Sequence, residues 1–311
     1  MSLQRALELA ESAKHRASPK PTVGAVVVSG GEIVGEGVTE FGGRHGEVVA
    51  LQAAGPRARG ATLYVTMEPC AHHGTTPPCV DAILDAGVAR VVAGCLDPNP
   101  QARGGLERLR EAGVDVAHAD SAVARRQNEA WRRWVSAGRP FVTYKAAVTL
   151  DGRVTLAGSR WVSGDESRRL VHELRAACDA VAVGMGTVRL ENPRLDARDV
   201  PFTRQPRRLA FGGGPLPEDS QLELRSGPLV EELRALAAEG VQSLLLEGGP
   251  TLATGFLRAD LVDKLLLFVA PTLGGAGPAL LAGLEEPRRL TGLAARRVGE
   301  DVLLEAYLHE P

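Results

Sequence analysis

The sequence predicts a protein of two successive α/β domains, the first over residues 1–140 and the second over 141–311. Three observations carry this expectation. At 311 residues the chain is about twice a typical domain. Short apolar strand patterns alternate with amphipathic helical patterns in both halves. A set of metal-ligating residue types lies wholly in the first half.

The first half opens with Leu3, Ala6, Leu7, Ala10 and Ala13 at helical spacing. Pro19 and Pro21 stop that helix, and Val23 to Val28 reads as a strand. Ser29-Gly30-Gly31 turns the chain into a second strand, Ile33 to Val38. The Gly42-Gly43 loop leads to a helix from near His45 to Ala54, and Thr62 to Met67 is the next strand. Pro77-Pro78 starts a helix over Cys79 to Ala86. Strand Arg90 to Cys95, a helix around Leu106 to Ala112 and strand Val114 to Ala117 complete a largely parallel sheet. Ser121 to Gly138 reads as one last helix, with Trp131 and Trp134 placed for interdomain packing.

Composition narrows the class. Apolar residues make up 44% and charged residues 24%, as in ordinary globular proteins. A net charge of −2 gives no electrostatic footprint for nucleic acid or an anionic membrane, which leaves small molecules as the expected partners. No stretch approaches the length of a membrane span, and the start, Met1-Ser2-Leu3-Gln4-Arg5, lacks the apolar region of a signal peptide. The expected compartment is the cytoplasm. Four cysteines in a chain this long do not make a disulfide framework; Cys95 and Cys178, beside apolar runs, read as small buried hydrophobes.

The remaining cysteines carry the chemistry. His45-Gly46-Glu47, Pro69-Cys70 and Cys79 offer one imidazole and two thiols, a three-ligand set for Zn²⁺ that keeps the fourth tetrahedral position for water. Residues at i and i+2 do not face each other on a regular helix, so His45 and Glu47 can serve one metal only at the helix mouth. There the helix dipole favours a bound hydroxide. Cys79 in the first turn of its own helix gains a lowered thiol pKa. The pattern is similar to the H-x-E and P-C-x-x-C signature of zinc deaminases, except that eight residues, Ala71 to Pro78, separate the cysteines. A structural zinc site normally has four closed protein ligands, and His72 and His73 are the rivals for a fourth.

The stretch Thr66-Met67-Glu68-Pro69-Cys70-Ala71-His72-His73-Gly74-Thr75-Thr76-Pro77-Pro78-Cys79 resembles the long inter-cysteine loop of the bifunctional riboflavin-biosynthesis deaminase–reductases. Val23-Gly24-Ala25-Val26, Asp97-Pro98-Asn99-Pro100 and the second half follow that family in order. The resemblance implies a cytidine-deaminase-like α/β/α zinc domain followed by a dihydrofolate-reductase-like α/β domain that uses NADPH. The first would remove the exocyclic amine of a phosphoribosylated diaminopyrimidinone, with Glu47 handling the protons of the attacking water. The second would reduce the ribosyl group to ribityl. Some positions depart from the family pattern. Lys20 replaces an asparagine, Thr39 a frequent histidine, Thr75 a phosphate-contacting basic residue, and Gly46 an alanine, at about 1 kcal/mol of helix stability. Lys20 is placed to supply the charge that Thr75 lacks.

The second half alternates again: strand Phe141 to Thr149, helix Asp165 to Ala177, strand Ala180 to Gly184, helix Leu229 to Ala238 and strand Ser243 to Glu247. Gly248-Gly249-Pro250-Thr251 opens another helix, and strands Lys264 to Ala270 and Val302 to Leu308 close the domain. Glycines between strand and helix let backbone amides approach a phosphate, although this turn is not GxGxxG. Lys14, Lys20, Lys145 and Lys264 are the lysines of an arginine-rich chain; Lys145, in an apolar strand, suggests a compact charge or proton donor.

The remaining roles come from the resemblance. It places Lys145 and Asp151 beside the reacting region. It implies cofactor contacts from Ala147, Trp161, Thr187, Glu191 and the stretch Gly249, Pro250, Thr251, Leu252, Ala253, Thr254 and Gly255. Ser159, Arg175, Leu195, Arg198 and Glu247 would hold the substrate, the arginines clamping its phosphate. Without it, Arg175 reads as a solvated helix face and Trp161 as a core aromatic. Glu191 replaces an aspartate, Gly158-Ser159 is shortened, and Val200 to Leu229 is compact where the family adds strands.

Two other readings stand beside this one. A zinc deaminase acting on a nucleobase or nucleic acid would carry an accessory, inactive second domain; the missing basic stripe argues against it. A structural zinc in a binding scaffold would require a fourth protein ligand. Homo-oligomerisation is an expectation of the family resemblance.

Overall fold

The computed structural model describes residues 2–13, 19–40, 42–74 and 76–311, so Thr75 lies outside the described residues. The chain divides into two compact units between Ala137 and Gly138.

In the first unit the elements run α1 (Ser2–Ser12), β1 (Gly24–Ser29), β2 (Glu32–Val38), α2 (Gly46–Ala54), β3 (Thr62–Met67), α3 (Cys79–Ala86), β4 (Arg90–Cys95), α4 (Gly105–Glu111), β5 (Asp115–His118), α5 (Ala122–Gln127) and α6 (Glu129–Ala137). The sheet order is β2-β1-β3-β4-β5. It is mixed rather than largely parallel. The tight Gly30-Gly31 turn makes β1 and β2 a hairpin, β1 also pairs antiparallel with β3, and only β3-β4 and β4-β5 are parallel. The core lies where α2, α3 and α4 cover the sheet, with Ala25, Leu63, Val65, Val80, Ile83, Val91 and Leu109 fully buried.

One expectation needs correction here. The stretch 121–138 is two helices, because Asn128 leaves the helical path to clamp another segment. Its Oδ1 accepts the Thr22 N–H at 2.8 Å and its Nδ2 donates to the Thr22 carbonyl at 2.9 Å. The Trp131–Trp134 pair packs against Leu7, Met67, Cys95 and Ala124 of its own unit.

Gly46 is not a weakness of α2. A Cβ there would stand 2.3 Å from the Val23 carbonyl oxygen and 3.2 Å from Val38 Cα, so the bare backbone lets the helix mouth sit against β1 and β2. Gly46→Ala is therefore expected to destabilise the unit by about 1–3 kcal/mol through overpacking, outweighing the ~1 kcal/mol gain in helix propensity. Urea denaturation of the two proteins checks the sign.

The second unit contains β6 (Phe141–Thr149), α7 (Asp165–Ala177), β7 (Ala180–Gly184), α8 (Met185–Glu191), β8 (Arg207–Phe211), β9 (Glu223–Arg225), α9 (Leu229–Ala238), β10 (Ser243–Leu246), α10 (Pro250–Arg258), β11 (Lys264–Ala270), β12 (Thr291–Val298) and β13 (Asp301–Tyr307). Its eight-stranded sheet has the order β12-β13-β11-β6-β10-β7-β8-β9, parallel from β11 through β9 with β12 and β13 antiparallel at one edge. The compact 200–229 region does hold strands, β8 and β9. Buried Tyr144, Leu209, Leu233, Leu244, Leu246 and Phe256 form the main core. Asp301, 2% exposed, caps α7 from the far end of the sequence, accepting Gly164 N–H at 2.9 Å and Ser167 Oγ at 2.6 Å. No described helix is long and apolar enough to cross a membrane.

Candidate active sites

His45 is the N-cap of α2, with extended φ −71° and ψ 151°, and this resolves how His45 and Glu47 face one site. The cap residue lies off the helical wheel, so its imidazole and the side chain two residues on turn the same way. Cys70 follows β3, and Cys79 opens α3. The ligand atoms of His45, Cys70 and Cys79 all lie within 4.8 Å of one another. His45 Nδ1 is 3.1 Å from Cys79 Sγ and 3.6 Å from Cys70 Sγ. A tetrahedral zinc with ordinary Zn–S and Zn–N bonds sets these donors about 3.5 Å apart, so the set fits the ion.

The thiols share one proton. The hydrogen bond from Cys79 brings the Cys70 thiol well below its ordinary value, against burial and with help from His45. The Cys79 backbone N–H points at the same sulfur at 3.3 Å. Cys79 is pushed up in turn as the donor of the pair. The Cys70 thiolate raises the His45 imidazole above its ordinary value, against burial. A divalent cation replaces those protons, as such sites require.

Glu47 is 3% exposed, and its Oε2 finds no partner among the described residues. Burial pushes its carboxyl above the usual carboxylate range, with the His45 charge opposing. An orphaned buried carboxylate oxygen beside three metal donors is a proton acceptor awaiting a bound group. Val48 and Ala102 pack around the two thiols as an apolar shell.

Glu68 is structural. Buried, it accepts the N–H groups of Asp97, Gly104 and Leu106, each at 3.1 Å, and so ties the turn before Cys70 to the 97–106 loop. Thr39 is also committed: its hydroxyl accepts the Val23 N–H at 2.9 Å. Lys20 lies close enough to His45 for its charge to oppose imidazole protonation. Cys95 and Cys178 have pKa values raised by burial to about 11 and about 12, as expected of inert thiols.

In the second unit Lys145 and Glu247 meet because β6 and β10 are parallel neighbours with Tyr144 opposite Leu246. Lys145 Nζ is 3.4 Å from Glu247 Oε2. Arg175, in the last turn of α7, reaches the same carboxylate through Nε at 2.6 Å and Nη2 at 3.1 Å. Burial alone would raise Glu247, but Lys145 and then Arg175 outweigh it and hold the carboxyl at about 2. Arg175 is thus not a solvated helix face.

Asp151 holds its turn: it takes hydrogen bonds from Thr149 Oγ1 at 2.6 Å, Gly274 N–H at 2.7 Å and Gly275 N–H at 2.8 Å, which pull its carboxyl below the usual range. Arg198 donates to Asp196 at 2.6 Å, and Leu195 is buried with φ 52°. Ser159 Oγ bridges to the Trp161 backbone, donating at 2.8 Å and accepting at 3.2 Å. Trp161 is 47% exposed, with the Arg160 and Arg168 guanidinium groups 5.0 and 5.3 Å from its ring centroid, so it is a surface platform and not a core aromatic.

Helices α8 and α10 start at the ends of adjacent parallel strands, β7 and β10, and there the backbone is bare. Among the described residues, a Cβ on Gly249 would meet only Thr187 Oγ1 at 3.9 Å, and one on Gly186 nothing within 4 Å. This open double N-terminus suits the phosphates of a dinucleotide. Gly249, Pro250 and Thr251 border it, and Leu252 packs beneath Gly184 and Gly248. Ala253 is fully buried, and Thr254 spends its hydroxyl on the Ala282 N–H at 2.9 Å. Gly255 lies further along α10, Glu191 ends α8 exposed, and Ala147 is half-buried on β6.

The profile of the cytidine and deoxycytidylate deaminase zinc-binding region matches residues 1–95, and that of the RibD C-terminal domain matches 140–304. A riboflavin biosynthesis protein RibD of Aquifex aeolicus is 38% identical, with 97% of this chain and 96% of that protein covered. The structure of Acinetobacter baumannii RibD superposes with a TM-score of 0.87 at 33% identity, over 98% of this chain and 97% of that one. A Thermotoga maritima structure described as a diaminohydroxyphosphoribosylaminopyrimidine deaminase/5-amino-6-(5-phosphoribosylamino)uracil reductase gives a TM-score of 0.83 at 33% identity, over 98% and 97% of the two chains.

Proposed function

The chain belongs to the RibD family of riboflavin biosynthesis proteins, and from that premise we propose how its residues divide two consecutive reactions between residues 1–140 and 141–311. It is a bifunctional enzyme, a zinc-dependent deaminase and an NADPH-dependent reductase. The substrate is a phosphoribosylated diaminopyrimidinone, and the supporting observation is the His45–Cys70–Cys79 donor set beside Glu47, whose Oε2 has no partner among the described residues.

His45 Nδ1, Cys70 Sγ and Cys79 Sγ would hold Zn²⁺, which when bound would supply Lewis acidity that acidifies the attacking water. Glu47 takes the proton of the attacking water and returns protons to the ring nitrogen and the departing ammonia. Lys20 stands near His45 and supplies positive charge toward the substrate phosphate.

In the second unit NADPH would supply the hydride. The open ends of α8 and α10, with Thr187, Gly249, Pro250 and Thr251, would hold its phosphates, and exposed Trp161 would offer it a face to stack on. Lys145 is the cation and proton donor at the reacting sugar, its ammonium fixed by Glu247. Arg175 orients Glu247, Arg198 and Ser159 remain for the substrate, and Asp151 keeps the β6 turn in shape.

We also place the enzyme in the cytoplasm, where its unpaired cysteines stay reduced. Self-association through the exposed edge strand β12 accords with its eight residues, seven of them exposed. A coupled assay tests the whole reading. The diaminopyrimidinone ribosyl phosphate should release ammonia first, and added NADPH should then lose its absorbance; NADPH oxidation without prior deamination, or ammonia release with no NADPH consumption, would split it.

A further inference from the structure

We propose that Thr76 is a positioning residue for the metal centre: its hydroxyl accepts the Nε2–H of His45 and so turns Nδ1 toward the two sulfurs. This rests on the zinc reading above and goes beyond it to a residue outside the donor set. His45 Nδ1 faces Cys79 Sγ at 3.1 Å and Cys70 Sγ at 3.6 Å, so it is the ligating atom and must be free of its proton when a cation is bound. The remaining proton then sits on Nε2, which lies 3.4 Å from Thr76 Oγ1. A ligating imidazole whose other nitrogen has an acceptor keeps one tautomer and one ring orientation. Thr76 stands on the Nε2 side of the ring, away from the sulfurs, so it is not itself a ligand.

The loop is built to hold that hydroxyl. The Gly74 N–H donates to the Thr76 carbonyl at 3.2 Å. Pro77 and Pro78 follow at once, fixing the backbone into the N-terminus of α3, with Pro78 as its N-cap. This gives a reason for the eight residues between the cysteines. With only two, as in the shorter zinc-deaminase signature, no chain is available to reach back over the imidazole.

The test is zinc affinity, read by competition with a chromogenic chelator on the full-length chain. Four proteins are compared: wild type, Thr76→Val, Thr76→Ser and Cys79→Ser. Valine keeps the shape and loses the acceptor, so about 10–100-fold weaker zinc binding is expected, while serine stays within about threefold of wild type. Zinc held as tightly by Thr76→Val as by wild type, with Cys79→Ser depleted, would overturn the Thr76 role and leave the zinc reading standing. Equal weakening in the valine and serine variants would also overturn it, because loop packing and not the hydroxyl would then be responsible. A wild type that binds no zinc would instead remove the reading on which the role depends.

Discussion

Glu47→Gln is expected to slow ammonia release by about 10²–10⁴-fold while zinc stays bound and the reductase half of the same chain keeps its rate. Glutamine has nearly the shape of glutamate and is tolerated in a buried position, but it cannot carry a proton from water to a leaving amine. The site is arranged around that carriage. Glu47 sits in the first turn of α2 beside the two sulfurs, 3% exposed, with Oε2 unpartnered among the described residues. If the carboxylate only braced the helix mouth, the amide would brace it as well and the rate would hold. Single-turnover ammonia measurement with metal analysis of the same samples separates the two.

Glu247→Gln should damage the second unit in both stability and activity. The carboxylate is shared by Lys145 and Arg175 in a buried cluster, and removing its charge leaves two cations facing each other, a loss of about 3–5 kcal/mol. The pH dependence has a definite sign. The folded-state pKa of Glu247, about 2, lies below the ordinary glutamate value. Its contribution, about 3 kcal/mol for that depression, is therefore full above pH ~4.5 and lost as pH falls toward 2. Denaturation curves from pH 6 down to pH 3 should show this fall in wild type and not in the variant. With Lys145 no longer fixed, NADPH oxidation should fall as well. Equal stability of the two proteins at neutral pH, or an unchanged reductase rate, would show that the cluster neither holds the unit together nor positions the lysine.

Several elements were legible because local signals agreed. Thr62–Met67, Cys79–Ala86, Arg90–Cys95 and Phe141–Thr149 occupy the expected residues, each an apolar period bounded by proline, glycine or charge. What was hidden depends on distant partners. Asn128 breaks a continuous helical pattern to bond Thr22, 106 residues away in sequence. Strand β12, Thr-Gly-Leu-Ala-Ala-Arg-Arg-Val, lacks an apolar alternation because it is an edge strand with seven of its eight residues exposed. Strands β8 and β9 lie among prolines and arginines whose carboxylate partners, such as Glu223 and Glu239 for Arg207, are not visible locally. Gly46 looked costly until the Val23 carbonyl appeared against it.

The candidate sites divide in the same way. The metal donors could be read from residue type and spacing, since few other combinations of one histidine and two cysteines leave a position for water. The partnership of Arg175 with Glu247 spans 72 residues and left no local trace, so without the family resemblance that arginine reads as a solvated helix face. Thr76 was equally silent: a threonine before two prolines reads as a turn until its hydroxyl is found beside His45 Nε2.

Zinc content of the purified full-length chain, measured beside Cys79→Ser, bears most directly on the first reaction. One zinc per chain in wild type and its loss from the variant is the expected result. A wild-type chain that takes up none after exposure to zinc, or a variant that keeps a full equivalent, would contradict a metal centre built from His45, Cys70 and Cys79.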